Sequence, residues 1–330
     1  MQTSRRSFLA RSATVAAASA TLPLSMQARA AQYPDKAVRM YVPYAPGAAT
    51  DIVGRLDAQV FNEAYGQPFV VENKGGGGST IGTRSVATAD PDGYTIGMID
   101  TAFTINPGLL GDKLPYDTIK DFAPVSLMAT TNLVLVTHPS VKAKTLDEFI
   151  ALAKENPGSL AFASAGVGSA PHLAGEQLRE QANIDILHIP YRGGSAIFTD
   201  LLGGQLQFSF GTVPSLQGHI ESGALNAIAI ASPERVEQLP NVPTFAESGL
   251  PGVDAEPFFG LIAPGGTPDA IVTQLSETIA KAMQQGPANE KLKSLGFRPV
   301  GTTPAEFAER IKNEIQKWTK VIETAGIQPE

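Results

Sequence analysis

Short apolar runs alternate with segments of helical periodicity along most of this chain. The runs predicted as strands lie at residues 38–42, 69–72, 95–99, 133–137, 160–163, 186–189, 208–210, 227–231 and 259–263. The helical segments between and after them lie at residues 51–63, 146–154, 174–181, 196–202, 270–283 and 304–325. Such alternation is typical of an α/β fold, and we expect mostly parallel sheets flanked by helices. In the last segment Phe307, Ile311, Ile315 and Trp318 recur at spacings of three and four, which predicts a face turned to the core.

The first thirty residues have the features of an export signal. Arg5-Arg6 is followed by Phe8-Leu9, then by a weakly apolar run at residues 13–24 and by the small-residue cleavage pattern Ala28-Arg29-Ala30. The apolar run is too short to span a bilayer as a stable helix. We therefore expect a mature chain that begins near Ala31 and lies in the periplasm. The arginine pair favours the twin-arginine route, with an ordinary secretory signal as the alternative.

Length and composition predict two lobes. The chain has 330 residues, of which 43% are hydrophobic and 17% charged, and this exceeds what one typical core holds. No low-complexity linker divides the mature chain, so we expect the lobes to be joined by crossing strands near residues 126–133 and 254–259. Lobe 1 would then contain residues 31–128 and 255–330, and lobe 2 residues 129–254, in the manner of a Venus flytrap.

Charge and residue types argue against several classes of function. Residues 1–30 carry four of the 25 Lys and Arg and none of the 32 acidic residues, so the mature chain has a net charge of −11. Such a surface disfavours nucleic acid and anionic lipid as partners. The chain has no cysteine, and its four histidines show no ligand spacing, which argues against disulfides, thiol catalysis and a zinc site. Neither G-x-S-x-G nor a phosphate-binding loop is present, so we expect no enzyme activity, no metal and no cofactor.

One candidate anion site lies where the first apolar run turns into a helix. This corner runs from Tyr44 to Thr50 and contains Pro46, Gly47, Ala48 and Ala49, none of them large. Backbone N–H groups at a helix start attract negative charge. The alternative is that Pro46-Gly47 only makes the turn and that Thr50 or Asp51 caps the helix.

A second corner of similar character follows the run at residues 160–163. Its residues include Ser164, Ala165, Gly168, Ser169 and His172, and an amphipathic helix comes next. Two such corners, far apart in sequence, suit a small anion held between two lobes. We expect His172 to cap and pack this helix start rather than to titrate, and Asp51 to be a first-turn helix residue rather than an acid catalyst. The alternative is an amine-binding role, if the ligand is an amino acid.

Ordered segments along the mature chain resemble the Bug/TctC family of periplasmic solute receptors for tripartite tricarboxylate transporters. They include Tyr-Pro-Asp-Lys at 33–36, P-G-x-x-T-D at 46–51, Val-Glu-Asn-Lys at 71–74, Ala-Asp-Pro-Asp-Gly-Tyr-Thr at 89–95, Leu-Pro-Tyr-Asp at 114–117, Gly-Ser-Ala-Pro-His at 168–172, His-Ile-Pro-Tyr-Arg-Gly at 188–193 and Leu-Pro-Asn-Val-Pro-Thr at 239–244. The resemblance implies a two-lobed receptor that grips a ligand carboxylate with backbone amides of both corners and delivers it to membrane permease subunits. The implied contact residues are Pro46, Gly47, Ala48, Ala49, Thr50, Ser164, Ala165, Gly168, Ser169 and His172.

Departures from the family pattern bear on the ligand. Ala48 stands where members often have glycine, and its methyl group narrows the approach to the backbone. Phe103, and Phe258 further along, would form an aromatic wall suited to an aromatic dicarboxylate; the alternative for Phe103 is a packed loop residue. Arg192 is the candidate partner of a second ligand carboxylate. The alternative is that Arg192 is a solvated arginine that follows a strand. A monomeric transport receptor is the expected function, with a ligand sensor, or more distantly an enzyme on the same scaffold, as alternatives.

Overall fold

The computed structural model describes residues 33–191 and 194–329, and for residues 194–196 only the backbone. The predicted export signal lies outside the described residues. The described chain forms one compact unit that contains two β-sheets. Within the described residues, no helix is both long and apolar enough to cross a membrane.

The first sheet has six strands in the order β11-β4-β10-β3-β1-β2. Its strands are β1 (Val38–Val42), β2 (Phe69–Asn73), β3 (Thr95–Asp100), β4 (Phe122–Thr130), β10 (Phe258–Pro264) and β11 (Arg298–Pro299). The second sheet has five strands in the order β7-β6-β8-β5-β9. Its strands are β5 (Leu133–Thr137), β6 (Ala161–Ser164), β7 (Leu187–Pro190), β8 (Phe208–Thr212) and β9 (Asn226–Ala231).

Helices precede or follow most of these strands. They are α1 (Ala49–Tyr65), α2 (Thr80–Ala87), α3 (Ala102–Leu110), α4 (Leu146–Glu155), α5 (Ala170–Ala182), α6 (Gly194–Leu202), α7 (Val213–Glu221), α8 (Asp269–Gln284), α9 (Pro287–Ser294) and α10 (Pro304–Ala325). The expected α/β class with two helix-flanked sheets is confirmed.

Both sheets are mixed, whereas the sequence predicted mostly parallel ones. β1 pairs in parallel with β2 and β3, and β6 with β7 and β8. β10 runs antiparallel to β3 and β4, and β5 antiparallel to β8 and β9. The difference arises where the chain changes sheets. The chain leaves the first sheet after Thr130, enters the second at Leu133, and returns to the first through β10. The strands at these crossings, β4, β5 and β10, are antiparallel to their neighbours.

Helix α10 packs with the predicted face inward. Phe307, Ile311 and Trp318 are buried, while Ile315 is half-buried. The Phe307 ring lies so close to β10 that a Cβ atom at Gly260 would come within 2.1 Å of it. Trp318 and Ile322 join the apolar cluster that also contains β5 and β6 residues. One helix therefore contributes to the packing of both sheets.

Candidate functional site

The two predicted corners occupy equivalent positions in the two sheets. β1 lies between β2 and β3, and β6 lies between β7 and β8, so in each sheet the chain crosses from one neighbour of a central strand to the other. Ligands of open α/β sheets bind outside the carboxyl ends of the strands at such crossover points. The first corner follows the carboxyl end of β1, and the second follows that of β6.

The first corner presents the uncapped start of helix α1. Ala48 is the N-cap residue and makes no side-chain cap. The first i to i−4 bond runs from the Ile52 N–H to the Ala48 carbonyl at 2.9 Å, so Ala49 and Thr50 precede the hydrogen-bonded ladder. Tyr44, Ala48 and Ala49 are half-buried and Pro46 is exposed, whereas Thr50 is buried.

Asp51 uses one of the donors that the sequence assigned to a ligand. Its Oδ2 accepts the Gly47 N–H at 2.8 Å and the Arg55 Nε–H at 2.9 Å, and its Oδ1 accepts the Asn73 amide at 2.8 Å. Burial disfavours ionisation of Asp51, but these hydrogen bonds outweigh it and hold the pKa below its usual range. Asp51 is thus a brace for the turn, as expected for a first-turn residue. Gly47 contributes the turn itself, with φ at +84°.

The second corner is held by two serine hydroxyls. Ser164 Oγ donates to the Gly166 carbonyl at 2.9 Å, and Ser169 Oγ donates to the same carbonyl at 2.8 Å. Gly168 has φ at +76°, a left-handed conformation that favours glycine. Ser169 is the N-cap of α5 without a side-chain cap, so this helix start also leaves its first N–H groups outside the helical ladder. Ala165, between the two serines, is exposed.

Two histidines stack beneath this corner. The rings of His172 and His188 lie 3.8 Å apart at 21°. His172 Nδ1 accepts the Gly168 N–H at 3.2 Å, and His188 Nε2 lies 2.7 Å from Ser164 Oγ. The two histidines lie 16 positions apart in the chain, so no local sequence pattern predicts this pair. In the described part of the chain, no group of three or more potential metal-ligating side chains accompanies them.

Both rings are neutral. Burial, with the neighbouring His188 and Arg179, lowers the pKa of His172 to about 3; burial and Arg179 lower that of His188 to about 4. A neutral His172 is required for Nδ1 to accept a hydrogen bond, and its other nitrogen then carries the proton and lies 3.7 Å from Glu176 Oε1. His172 therefore positions Gly168 and packs the helix start, which corresponds to the expected role.

Helix α3 connects elements of the first sheet to the second corner. A Cβ atom at Gly168 would come within 2.6 Å of Leu109 Cδ2 and 3.4 Å of Ile105 Cγ2. On the same helix, the Asn106 side-chain amide donates to the Gly78 carbonyl at 3.0 Å, in the loop after β2. α3 thus touches the second corner with one set of side chains and a first-sheet loop with another.

The two aromatic candidates are packed in the core. Phe103 is 1% exposed and its ring contacts those of Tyr116 and Phe122, with centroids 6.2 and 5.2 Å away. Phe258 is 0% exposed and meets Phe307 edge to face. This burial favours the packed alternative over an aromatic wall. Arg192 lies outside the described residues, but its neighbour Tyr191 donates its N–H to the Ser164 carbonyl at 2.9 Å.

A cavity of about 1,070 Å³ lies away from both corners, between α10 and residues 231–233 and 251–256. Several of its charged side chains are paired with one another: Glu256 accepts from Arg298 at 2.9 Å and from Arg310 at 3.0 Å, and Lys317 lies 2.7 Å from Asp254. We place the candidate site at the corners, because there two helix starts with free backbone donors follow the carboxyl ends of the strands at the crossover points.

Three polar residues near the corners were not predicted as part of the site. These are His188, Ser79 and Asp100. Ser79 is 3% exposed, has φ at +77°, and its Oγ has no hydrogen-bond partner among the described residues. Asp100 ends β3 and is half-buried beside Tyr44. A non-glycine residue in the left-handed region, such as Ser79, is uncommon and marks strain.

Comparison with known proteins identifies relatives across almost the whole chain. The profile of the tripartite tricarboxylate transporter family receptor (TctC) matches residues 53–327. Protein BugT of Bordetella pertussis is 38% identical over 310 residues, which cover 93% of this chain and 94% of BugT. A solved R. palustris protein with adipate has a TM-score of 0.82 and 31% identity, covering 90% of this chain and 100% of its own. MatC from Rhodopseudomonas palustris with bound malate has a TM-score of 0.77 and 31% identity, and the match covers 88% of this chain and 100% of MatC.

Proposed function

The chain belongs to the tripartite tricarboxylate transporter receptor family, also called Bug/TctC, and we propose that it captures a small carboxylate between the two corners. Two solved relatives carry adipate and malate, both small carboxylates. We further propose delivery of the ligand to the membrane permease subunits of a tripartite tricarboxylate transporter.

The uncapped starts of α1 and α5 carry this proposal. Both follow a central parallel strand, and both lack a side-chain cap. By contrast, α4 and α10 begin with complete capping boxes formed by Thr145 with Glu148 and by Thr303 with Glu306. Helices α2, α3, α7, α8 and α9 also lack a side-chain cap, so position sets α1 and α5 apart: each follows the carboxyl end of the strand at the crossover point of its sheet.

We propose that the two sheets are the cores of two lobes, at residues 31–128 with 255–330 and at residues 129–254, that close on the ligand. Of the corner residues, Ala49, Thr50 and Ala170 are the proposed backbone donors. Gly47, Ser164 and His172 shape the turns, and the Ser169 N–H is already bound to the Gly166 carbonyl at 3.2 Å. Because Phe103 and Phe258 are packed, we limit the proposal to small carboxylates and do not extend it to aromatic ones. Arg192 remains the candidate partner of a second carboxylate.

Localisation and assembly complete the proposal. The sequence pattern of residues 1–30 supports export to the periplasm by the twin-arginine route. We also propose that the receptor is a monomer. Replacing Arg5-Arg6 by two lysines should retain the protein in the cytoplasm if this route is used. Export that continues unchanged would assign the signal to the general secretory route.

A thermal-shift screen of residues 31–330 against aliphatic and aromatic mono-, di- and tricarboxylates tests the receptor function. A ligand that binds the native state raises the melting temperature with its concentration. We expect a concentration-dependent rise with at least one small aliphatic carboxylate. A flat response of folded, ligand-free protein to the whole set would contradict carboxylate capture, and turnover of a bound carboxylate would indicate an enzyme instead.

A further inference from the structure

Asp100 lies at the crossover point of the first sheet, and the capture mechanism leaves it without a role. β3 pairs in parallel with β1 through Arg39–Thr95 to Tyr41–Gly97, so both strands end at the same edge. Asp100 is the last residue of β3, and Tyr44 follows β1 by two residues. A crevice at this edge, between strands that connect in opposite directions, is where such sheets bind ligands.

The contacts of Asp100 leave acceptor capacity open. Its Oδ1 accepts the Ala102 N–H at 3.1 Å, and the Tyr44 hydroxyl approaches its carboxyl group. In the described part of the chain no Lys, Arg or His forms an ion pair with it. A carboxylate has about four lone-pair sites, so two contacts do not saturate it.

Asp100 would repel a second negative charge placed beside it. Burial raises its pKa to about 6, against the opposing effects of the nearby Tyr44 hydroxyl and the Ala102 N–H, so at neutral pH most of it is ionised. A ligand carboxylate placed directly against it would be repelled. A hydroxyl or ammonium group in the same place would donate a hydrogen bond to a partly desolvated carboxylate, which is a strong interaction.

The neighbouring Ser79 supports the same location. Its Oγ approaches the Tyr44 hydroxyl, is buried, and has no partner of hydrogen-bond geometry among the described residues. A buried hydroxyl without a partner usually indicates a missing ligand or water. Two polar groups, Asp100 at the end of β3 and Ser79 at the start of α2, thus lie near Tyr44 with hydrogen-bonding capacity left for a bound molecule.

We propose that Asp100, together with Tyr44, is a specificity-determining residue that selects carboxylates bearing a hydroxyl or ammonium donor near the anchored carboxylate. The inference rests on the proposed function. The ligand carboxylate binds the N–H groups at the start of α1, the donor group binds Asp100, and a second carboxylate, where present, lies toward the second corner.

Matched ligand series with one carbon skeleton test this selection by titration calorimetry. The probes are succinate, malate and aspartate, then glutarate, 2-hydroxyglutarate and glutamate. The wild-type protein should bind a hydroxy or amino member about tenfold or more tightly than its unsubstituted parent, since hydrogen bonds to charged groups are the strong ones. Asp100→Ala should abolish this preference. Asp100→Asn, which keeps an acceptor but not the charge, should abolish a preference for ammonium and retain much of one for hydroxyl.

Asp112→Ala, at an exposed aspartate after α3, is the matched control and should keep the wild-type preference. Melting curves of each variant establish that it is folded. If carboxylates bind but the wild type does not discriminate within a series, or Asp100→Ala discriminates as well as wild type, the role of Asp100 is refuted while the receptor function stands. If no member binds, the receptor function fails and this inference with it.

Discussion

Asp57 allows a direct test of how an ionisable side chain is accommodated in the core beside the first sheet. It lies in α1 on the same face as Val53 and Phe61, is 0% exposed, and neither of its carboxyl oxygens has a hydrogen-bond partner among the described residues. Burial raises the pKa of Asp57 well above its usual range, because an isolated carboxylate is costly to desolvate. The folded protein therefore holds Asp57 in its protonated form at pH values where the unfolded chain has lost that proton.

The sign of the pH effect follows from this difference. Below the unfolded pKa of about 3.9, both states are protonated and Asp57 contributes its full stability. As the pH rises, unfolding releases a proton, and the free energy of unfolding falls by up to about 1.4 kcal/mol per pH unit from this group. The decline ends once the pH passes the folded pKa, because Asp57 is then ionised in both states.

Urea titrations of wild type and Asp57→Asn between pH 4 and 8 measure this contribution. The amide has nearly the same size and does not titrate, so the free energies of unfolding of the two proteins should be similar near pH 4. As the pH rises above 4, Asp57→Asn should become progressively more stable than the wild type. His172 and His188, whose pKa values are lowered by folding, destabilise the protein as the pH falls below about 6.5. They do so equally in both proteins and cancel in the difference. Asp90→Asn, at an exposed aspartate, should give no such trend. A pH-independent difference for Asp57→Asn would refute the reasoning.

Three further substitutions test the site. His172→Leu should weaken carboxylate binding about tenfold in calorimetry, because the Gly168 N–H loses its acceptor, and His172→Asn should retain most of the affinity; equal affinity of both variants would assign His172 to packing alone. Phe103→Ala should lower the free energy of unfolding by about 3–5 kcal/mol in urea; a stable variant that loses only aromatic ligands would show that the ring faces the ligand. Ala48→Asp should raise Tm, since an N-cap contributes about 0.5–2 kcal/mol, and weaken carboxylate binding by competing for the same donors; unchanged affinity would exclude this helix start from the site.

Local pattern predicts much of this fold. The nine predicted strands correspond to β1–β3 and β5–β10, and the last predicted helix coincides with α10 at Pro304–Ala325. β4 was absent from the predicted strand runs, because Pro124 and Ser126 interrupt its apolar run, although the crossing strand expected near residues 126–133 overlaps its second half. Pro124 is tolerated in β4 where the pairing with β10 shifts register, a long-range feature that no local window contains. The mixed direction of the sheets was missed for the same reason.

At the site, the sequence located the turns but not their side-chain partners. Glycine, proline and small residues mark Pro46–Thr50 and Ser164–Ser169 as corners through backbone conformation, which is a local property. The capture of the Gly47 N–H by Asp51 needed the actual turn geometry, although the i, i+4 spacing was a usable signal. The stacking of His172 on His188 required the pairing of β6 with β7, which brings residues far apart in sequence together.

Several features that local rules failed to predict lie where the proposed ligand binds. Helices α1 and α5, like α2, α3, α7, α8 and α9, start without side-chain caps, but only α1 and α5 do so at the two corners. Near the first corner, Ser79 adopts a left-handed conformation and Asp100 is partly desolvated without a cation. Each departure costs stability in the free protein, and departures of this kind are expected at functional sites. A carboxylate with a donor group would satisfy the open N–H groups and Asp100 together. Ligand binding should therefore stabilise these loops, which is the condition for a receptor whose closed form depends on its ligand.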